Sequence, residues 1–235
     1  MILLLTLAGK YQRFVDEGYK TPKYLLPWGD RVILWTIIHE LKASGFFSDI
    51  YLIGNNRDER FMPHVKTIMQ YQGISSDNLF LIDDTKGQAE TAMIGLDMIG
   101  TIKNYLPVAI HNVDTILYNR DLTLVMDAIS GADGFIDVFS SNNKSYSFVL
   151  AEGNKVIEIA EKIVISDMAT SGFYGFADGD TYRKNYSPDD IYISSIYKRM
   201  ITKGDKVVVG QKYKEADTIV LGTPSEYFNA SLVNL

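Results

Sequence analysis

The chain has 235 residues, carries 23 Lys and Arg against 29 Asp and Glu for a net charge of −6, and is 46% hydrophobic and 22% charged. That composition excludes a disordered or fibrous chain, and the acidic balance argues against nucleic acid as a partner. With no cysteine and only three histidines, thiolate catalysis and Cys-ligated metals are ruled out, and a metal site would lean on carboxylates and a hard ion such as Mg²⁺.

In chain order, Ile2–Leu7 is a continuous apolar run before Ala8-Gly9, the pattern of a strand buried on both faces of a parallel sheet. Met1–Ala8 is too short for a secretion signal and lacks a charged leader, and no stretch reaches the length of a membrane span. The expectation is a cytoplasmic protein with no membrane partner. A polar loop is predicted from Lys10 to Lys23. Helices follow over Val32–Ala43, Phe61–Tyr71, Glu90–Gly100 and Leu122–Ile129, alternating with strands at Ile50–Ile53, Leu79–Ile82 and Val108–His111.

Beyond residue 130 the pattern changes. Phe135–Phe139, Tyr146–Ala151, Val156–Ile159 and Gly172–Phe176 read as strands joined by turn-rich pieces such as Glu152-Gly153-Asn154. One helix is predicted there, Asp190–Lys203, with Ser187 as N-cap, Pro188 in the first turn, Asp189 and Asp190 at the positive end of the dipole, and Gly204 as the stop. With no repeat and no linker, the chain reads as one domain over 1–235, its first half about 1–130 and its second about 131–235.

Five segments carry chemistry. The loop after the first strand places Lys10, Arg13, Lys20 and Lys23 within fourteen residues against two acids, a local excess of cations suited to a polyphosphate. It is neither a Walker A loop nor a dinucleotide fingerprint, since the required glycines are missing. Thr85-Lys86-Gly87-Gln88-Ala89 opens a helix with small residues. His111-Asn112-Val113-Asp114 puts a carboxylate at a strand's carboxyl end, where it suits Mg²⁺. Glu161-Lys162 precedes Ser171-Gly172-Phe173-Tyr174-Gly175-Phe176, and Leu221-Gly222-Thr223-Pro224-Ser225-Glu226-Tyr227 closes the chain.

These segments, in this order, resemble nucleotidyltransferases that activate sugar phosphates and related phosphorylated small molecules. The first-loop matches are Ala8, Gly9, Arg13, Pro22, Lys23, Gly29 and Leu34. The resemblance implies a single-domain α/β fold, Rossmann-like (GT-A type), with a mixed, mainly parallel sheet flanked by helices. It implies transfer of a nucleotide from a nucleoside triphosphate to a phosphorylated acceptor, with Mg²⁺ and release of pyrophosphate. Arg13 and Lys23 would then hold the triphosphate, with Leu7, Ala8, Gly9, Gly87, Gln88 and Asn112 around the nucleotide. Asp114 would hold the metal, while Glu161, Lys162 and Gly172 face the acceptor. The catalytic set is Arg13, Lys23, Asp114 and Lys162. Tyr174 and Tyr192 are candidates to line the acceptor pocket. The variant of the first motif is similar to short bacterial capsule or surface-polysaccharide versions, and relatives of this short form usually use CTP.

The chain departs from the family pattern in three places. Lys10, Tyr11 and Gln12 stand where glycines are usual, Ile163 replaces a proline, and Val220 stands where a second metal-binding Asp is usual. Asp217, three residues earlier, would face the other side of a strand; another carboxylate could fold in. Two further readings stay open: a glycosyltransferase of the same fold, and a nucleotide-binding relative without catalysis. A homo-oligomer is compatible with the sequence.

Overall fold

The computed structural model describes residues 1–43, 45–100 and 105–232. Strand β1 (Ile2–Thr6) is buried along its whole length, as an unalternated apolar run requires. The segment expected as a polar loop contains a short helix, α1 (Gln12–Asp16), and a 3₁₀ turn at Lys23–Leu25. A small hairpin follows, β2 (Pro27–Trp28) with β3 (Arg31–Val32). Next come α2 (Ile33–Lys42), β4 (Asp49–Asn55), α3 (Met62–Tyr71), β5 (Leu79–Ile82), α4 (Gln88–Ile99), β6 (Val108–Asn112), β7 (Thr115–Leu117) and α5 (Leu122–Ile129). The second half contains β8 (Gly134–Ser140), β9 (Ser147–Glu152), β10 (Lys155–Glu161), β11 (Met168–Phe176), α6 (Gly179–Asn185), α7 (Ile193–Lys203), β12 (Val207–Tyr213), β13 (Thr218–Val220) and α8 (Pro224–Ser231).

Nine strands form one sheet in the order β5-β4-β1-β6-β11-β8-β12-β10-β9. The sheet is mixed, and the expectation of a mainly parallel one is corrected. Only β5-β4-β1-β6 and the β8–β12 pair run parallel, whereas β6–β11, β11–β8, β12–β10 and β10–β9 are antiparallel. The reason is connection length. A parallel neighbour needs a crossover of a dozen residues or more, but β9 and β10 are joined by a turn at Gly153-Asn154, which permits only a hairpin. Strand β9 also pairs back to β11 through Ala169 and Phe148, closing β11, β8, β12, β10 and β9 into a ring.

Side chains along β1 alternate between two cores, one on each face of the sheet. Leu3 and Leu5 pack with α2, α3 and α5 through Ile37, Leu41, Val65 and Val125. Ile2 and Leu4 pack with α4, α6 and α7 through Ala92, Tyr182, Ile196 and Tyr197. The predicted start of the last major helix is also corrected. Asp190 is no first-turn residue: it is buried, accepts from Ser187 N at 2.7 Å, and takes both Arg199 guanidinium nitrogens at 2.8 and 2.9 Å. That turn delays α7 to Ile193, while Gly204 closes it at φ 88° as expected. Helices α6 and α8 and strands β7, β12 and β13 have no counterpart in the sequence reading. Among the described residues no helix is long and apolar enough to cross a membrane.

Candidate active site

The carboxyl ends of the parallel strands meet on one side of the sheet, the usual ligand side of an open α/β fold. Strand β1 leads into Leu7–Tyr11, β5 into residues 83–87, and β6 into Val113-Asp114. A cavity of about 620 Å³ opens there. Leu7, Ala8, Gly9, Lys23, Gly87, Gln88, Asn112 and Asp114, drawn from the first three of the five segments, all line it. A second cavity of about 360 Å³ adjoins it, lined by Glu161, Lys162, Gly172, Tyr174 and Tyr192. Gln88, Asn112, Asp114 and Tyr192 belong to both. Arg13, expected beside the triphosphate, lines the second cavity rather than the first.

Lys23 and Asp114 form an ion pair at the junction, their side chains 16% and 21% exposed. Burial alone would raise the Asp114 carboxyl, but the Lys23 ammonium and its hydrogen bond outweigh it and hold the group below the ordinary carboxylate range. The Asp114 carbonyl accepts from Leu221 N at 2.6 Å, which ties the strand end to the closing motif. Three residues earlier, His111 is fully buried with Nε2 2.8 Å from Thr115 O and Nδ1 3.2 Å from Gly172 O. Burial pushes its imidazole down to about 4, so the ring is neutral near pH 7 and its single N–H donates to one of these two carbonyls.

Gly172 has φ +85°, and a Cβ there would overlap the Asn112 side chain. Asn112 in turn presents a buried Oδ1 that meets no donor among the described residues, a lone acceptor that calls for one. Gly87 serves a different close approach: the Ile191 carbonyl occupies the space of its missing side chain and accepts from Ala89 N at 3.2 Å. Lys86 Nζ reaches Pro188 O at 2.9 Å. Residues 188–191 are thereby fastened to the start of α4.

On the second cavity, Glu161 Oε2 accepts from Ser147 Oγ and, at 2.9 Å, from Ser194 Oγ. Lys162 has φ +57°, rare for a residue with a Cβ. Its Nζ donates to Tyr192 Oη at 3.2 Å and lies 5.0 Å from that ring's centroid. Ser147 and Ser194 went unnoticed in the sequence, since each is an isolated serine with no local pattern.

Val220 pairs with Thr115 on the small β13–β7 sheet. Asp217 lies before β13 and accepts from Asn119 Nδ2 at 2.7 Å. Glu226 of the closing motif lies on the Asp114 side of Gly222. A point where a side chain on Gly222 would begin lies 3.5 Å from both Asp114 Oδ2 and Glu226 Oε2. Glu226 Oε2 also accepts from Thr223 Oγ1 at 2.9 Å, so a hard cation at Asp114 would draw most of its ligands from phosphate oxygens and water. Among the described residues no group of three His, Asp or Glu comes together.

No family model matches the chain, and no curated protein matches it. Solved structures do. The fold is similar to a nucleoside-diphosphate-sugar pyrophosphorylase from Vibrio cholerae, with 25% identity and a TM-score of 0.82 over 97% of this chain and 98% of that one. It is similar to a UDP-glucose pyrophosphorylase complexed with UDP-glucose at 15% identity and a TM-score of 0.77, over 99% and 97% of the two chains. The inositol-1-phosphate CTP transferase of T. maritima matches at 12% identity and a TM-score of 0.75, over 99% and 95%. The structural neighbours are nucleotidyltransferases, and the single-domain α/β fold is theirs along nearly the whole of each chain.

Proposed function

We propose that this protein is a nucleotidyltransferase that couples a nucleoside triphosphate to a sugar 1-phosphate or a similar phosphorylated small molecule and releases pyrophosphate. The observation that carries the reading is the pair of cavities joined at Asp114: one lined by Lys23 and the Leu7–Gly9 backbone, the other by Arg13 and Lys162. That arrangement suits two anionic substrates meeting at one point.

In the proposed reaction an oxygen of the acceptor phosphate attacks the α-phosphorus, a new P–O bond forms in line, and the bond to the β-phosphate oxygen breaks. The leaving pyrophosphate takes that electron pair. The acceptor phosphate is a dianion near neutral pH, so no general base is required. The protein's task is alignment and charge neutralisation. Lys23 neutralises the triphosphate, Arg13 and Lys162 hold the acceptor phosphate, and Glu161 accepts from acceptor hydroxyls. Asp114, with Glu226, would hold Mg²⁺, which when bound supplies charge stabilisation on the phosphates. Lys23 leaves the Asp114 carboxylate for the triphosphate as the site fills. CTP is the first donor to try.

The test is the unfolding temperature with ATP, GTP, CTP, UTP and dTTP, each with and without Mg²⁺. A triphosphate at 100 times its dissociation constant adds about 2.7 kcal/mol, a rise of roughly 5–10 °C for a domain of this size. The expected result is a Mg²⁺-dependent rise with one base, lost in Asp114→Ala. That base is then used in a pyrophosphate-release assay over phosphorylated acceptors. A chain whose transition no triphosphate moves is not this enzyme, and a glycosyltransferase of the same fold becomes the leading reading.

A further inference from the structure

The first loop lacks the glycines that would let its backbone fold closely around phosphates unaided. What holds it instead comes from elsewhere in the chain. Arg57, in the 3₁₀ turn Asn56–Phe61 after β4, donates from Nη2 to Ala8 O and to Gly9 O, both at 2.8 Å. Its Nη1 donates to Asp84, beyond the end of β5. The next loop residue, Lys10, reaches the same Asp84 at 3.2 Å. The one after it, Tyr11, sits in the left-handed region at φ 38°, and its hydroxyl donates to Asp58 at 2.6 Å. Four consecutive loop residues are thus tied to side chains at the carboxyl ends of β4 and β5. Arg57 is itself held. Its amide donates to Asn55 Oδ1 at 2.9 Å, and Asn55 Nδ2 donates to Asp84 at 3.1 Å.

We infer that Arg57 is a positioning residue for the nucleoside triphosphate, acting through the Ala8 and Gly9 carbonyls. The inference rests on the nucleotide reading of the first cavity. One planar guanidinium nitrogen takes two successive carbonyl oxygens, which engages both as acceptors. Among the described residues the amides of Gly9 and Lys10 meet no acceptor. The loop therefore offers the ligand donors and withholds acceptors, a match for phosphate oxygens. A lysine at position 57 keeps the charge but not the fork.

The experiment titrates the favoured triphosphate, with Mg²⁺, into the wild type, Arg57→Lys and Arg57→Met by calorimetry. Steady-state KM and kcat for donor and acceptor and the unfolding temperature are measured alongside. The expected result is about a tenfold weaker triphosphate affinity and a correspondingly higher donor KM in both variants, the value of one lost charge-assisted hydrogen bond. Acceptor KM and kcat should stay within about twofold. In Arg57→Ala, prepared as a fourth protein for the same titration, millimolar free guanidinium should restore donor affinity, and in Arg57→Lys it should not. Arg57→Lys binding triphosphate as the wild type does would overturn the inference and leave only a charge effect. Loss of donor and acceptor affinity together with a large fall in unfolding temperature would also overturn it, in favour of a structural role. A wild type that binds no triphosphate overturns the nucleotide reading itself, and this role with it.

Discussion

His111 and Gly172 show how single residues hold the floor of the site. With its imidazole pushed down to about 4 by burial, His111 stays neutral in the fold while an unfolded chain takes up a proton near 6.5. Between those values the unfolded state binds more protons, so stability is full above about pH 6.5 and falls as pH drops toward 4, by about 3 kcal/mol for this group. Burial raises the Asp137 carboxyl despite its pair with Arg120, so that group works in the opposite sense. The comparison of wild type with His111→Gln therefore isolates the histidine: the slope of urea-unfolding free energy between pH 7 and 4.5 should flatten in the variant. Gly172→Ala meets two obstacles, a positive φ and the Asn112 side chain. A loss of about 3 kcal/mol is expected, read from the urea midpoint, together with weakened acceptor affinity. At this scale the sequence was legible where residues fall in ordered motifs. Lys23, Gly87, Asp114 and Gly172 meet around two cavities, although they are drawn from four segments. Arg57 and Asp84 were not legible. Arg57 sits in a 3₁₀ turn and Asp84 in a loop, and what they do depends on strand order, which places β4 beside β1 and β5 next to β4. Glu226 had a signal in the closing motif, but its place on the Asp114 side of Gly222 is set by the fold.

Among the elements, the buried runs and amphipathic helices of the first half follow their predicted limits closely. Leu79–Ile82 and Leu122–Ile129 agree to the residue, because a period of apolar positions and a capping residue such as Asp121 act locally. Helix α7 begins later than its local cap signals suggest, because Asp190 is taken by Arg199 from the helix's own second turn. Local preference loses here to a buried, bidentate pair. Asp190→Ala should cost about 2 kcal/mol, measured by denaturant unfolding. It should also loosen the fastening of residues 188–191 to α4, read as faster hydrogen exchange at the Ala89 amide, which donates to Ile191 O. Equal exchange in variant and wild type would mean that this fastening does not depend on Asp190. Strand β12 opens on Val207-Val208-Val209, a β-branched run that the sequence reading left unassigned, and β13 is only three residues long.

For the whole molecule, one sheet runs through both halves, and neither half encloses a complete site alone. The two halves should therefore unfold together. Both tryptophans, Trp28 and Trp35, lie in the first half, so tryptophan fluorescence reports that half while circular dichroism reports the whole. Coincident urea transitions are expected; separate midpoints would show two independent units. The β11–β9 pairing has a further consequence. A sheet normally ends in two strands with unpaired backbone groups, each a template for another chain. Here the β9 end is joined back to the sheet at the Ala169–Phe148 pair, and the margin that this leaves with no neighbouring strand, among the described residues, is the outer side of β5. That strand is only four residues long and is followed at once by Asp83 and Asp84. On this margin, strand addition by a second molecule meets a short starting point with two negative charges at its exit.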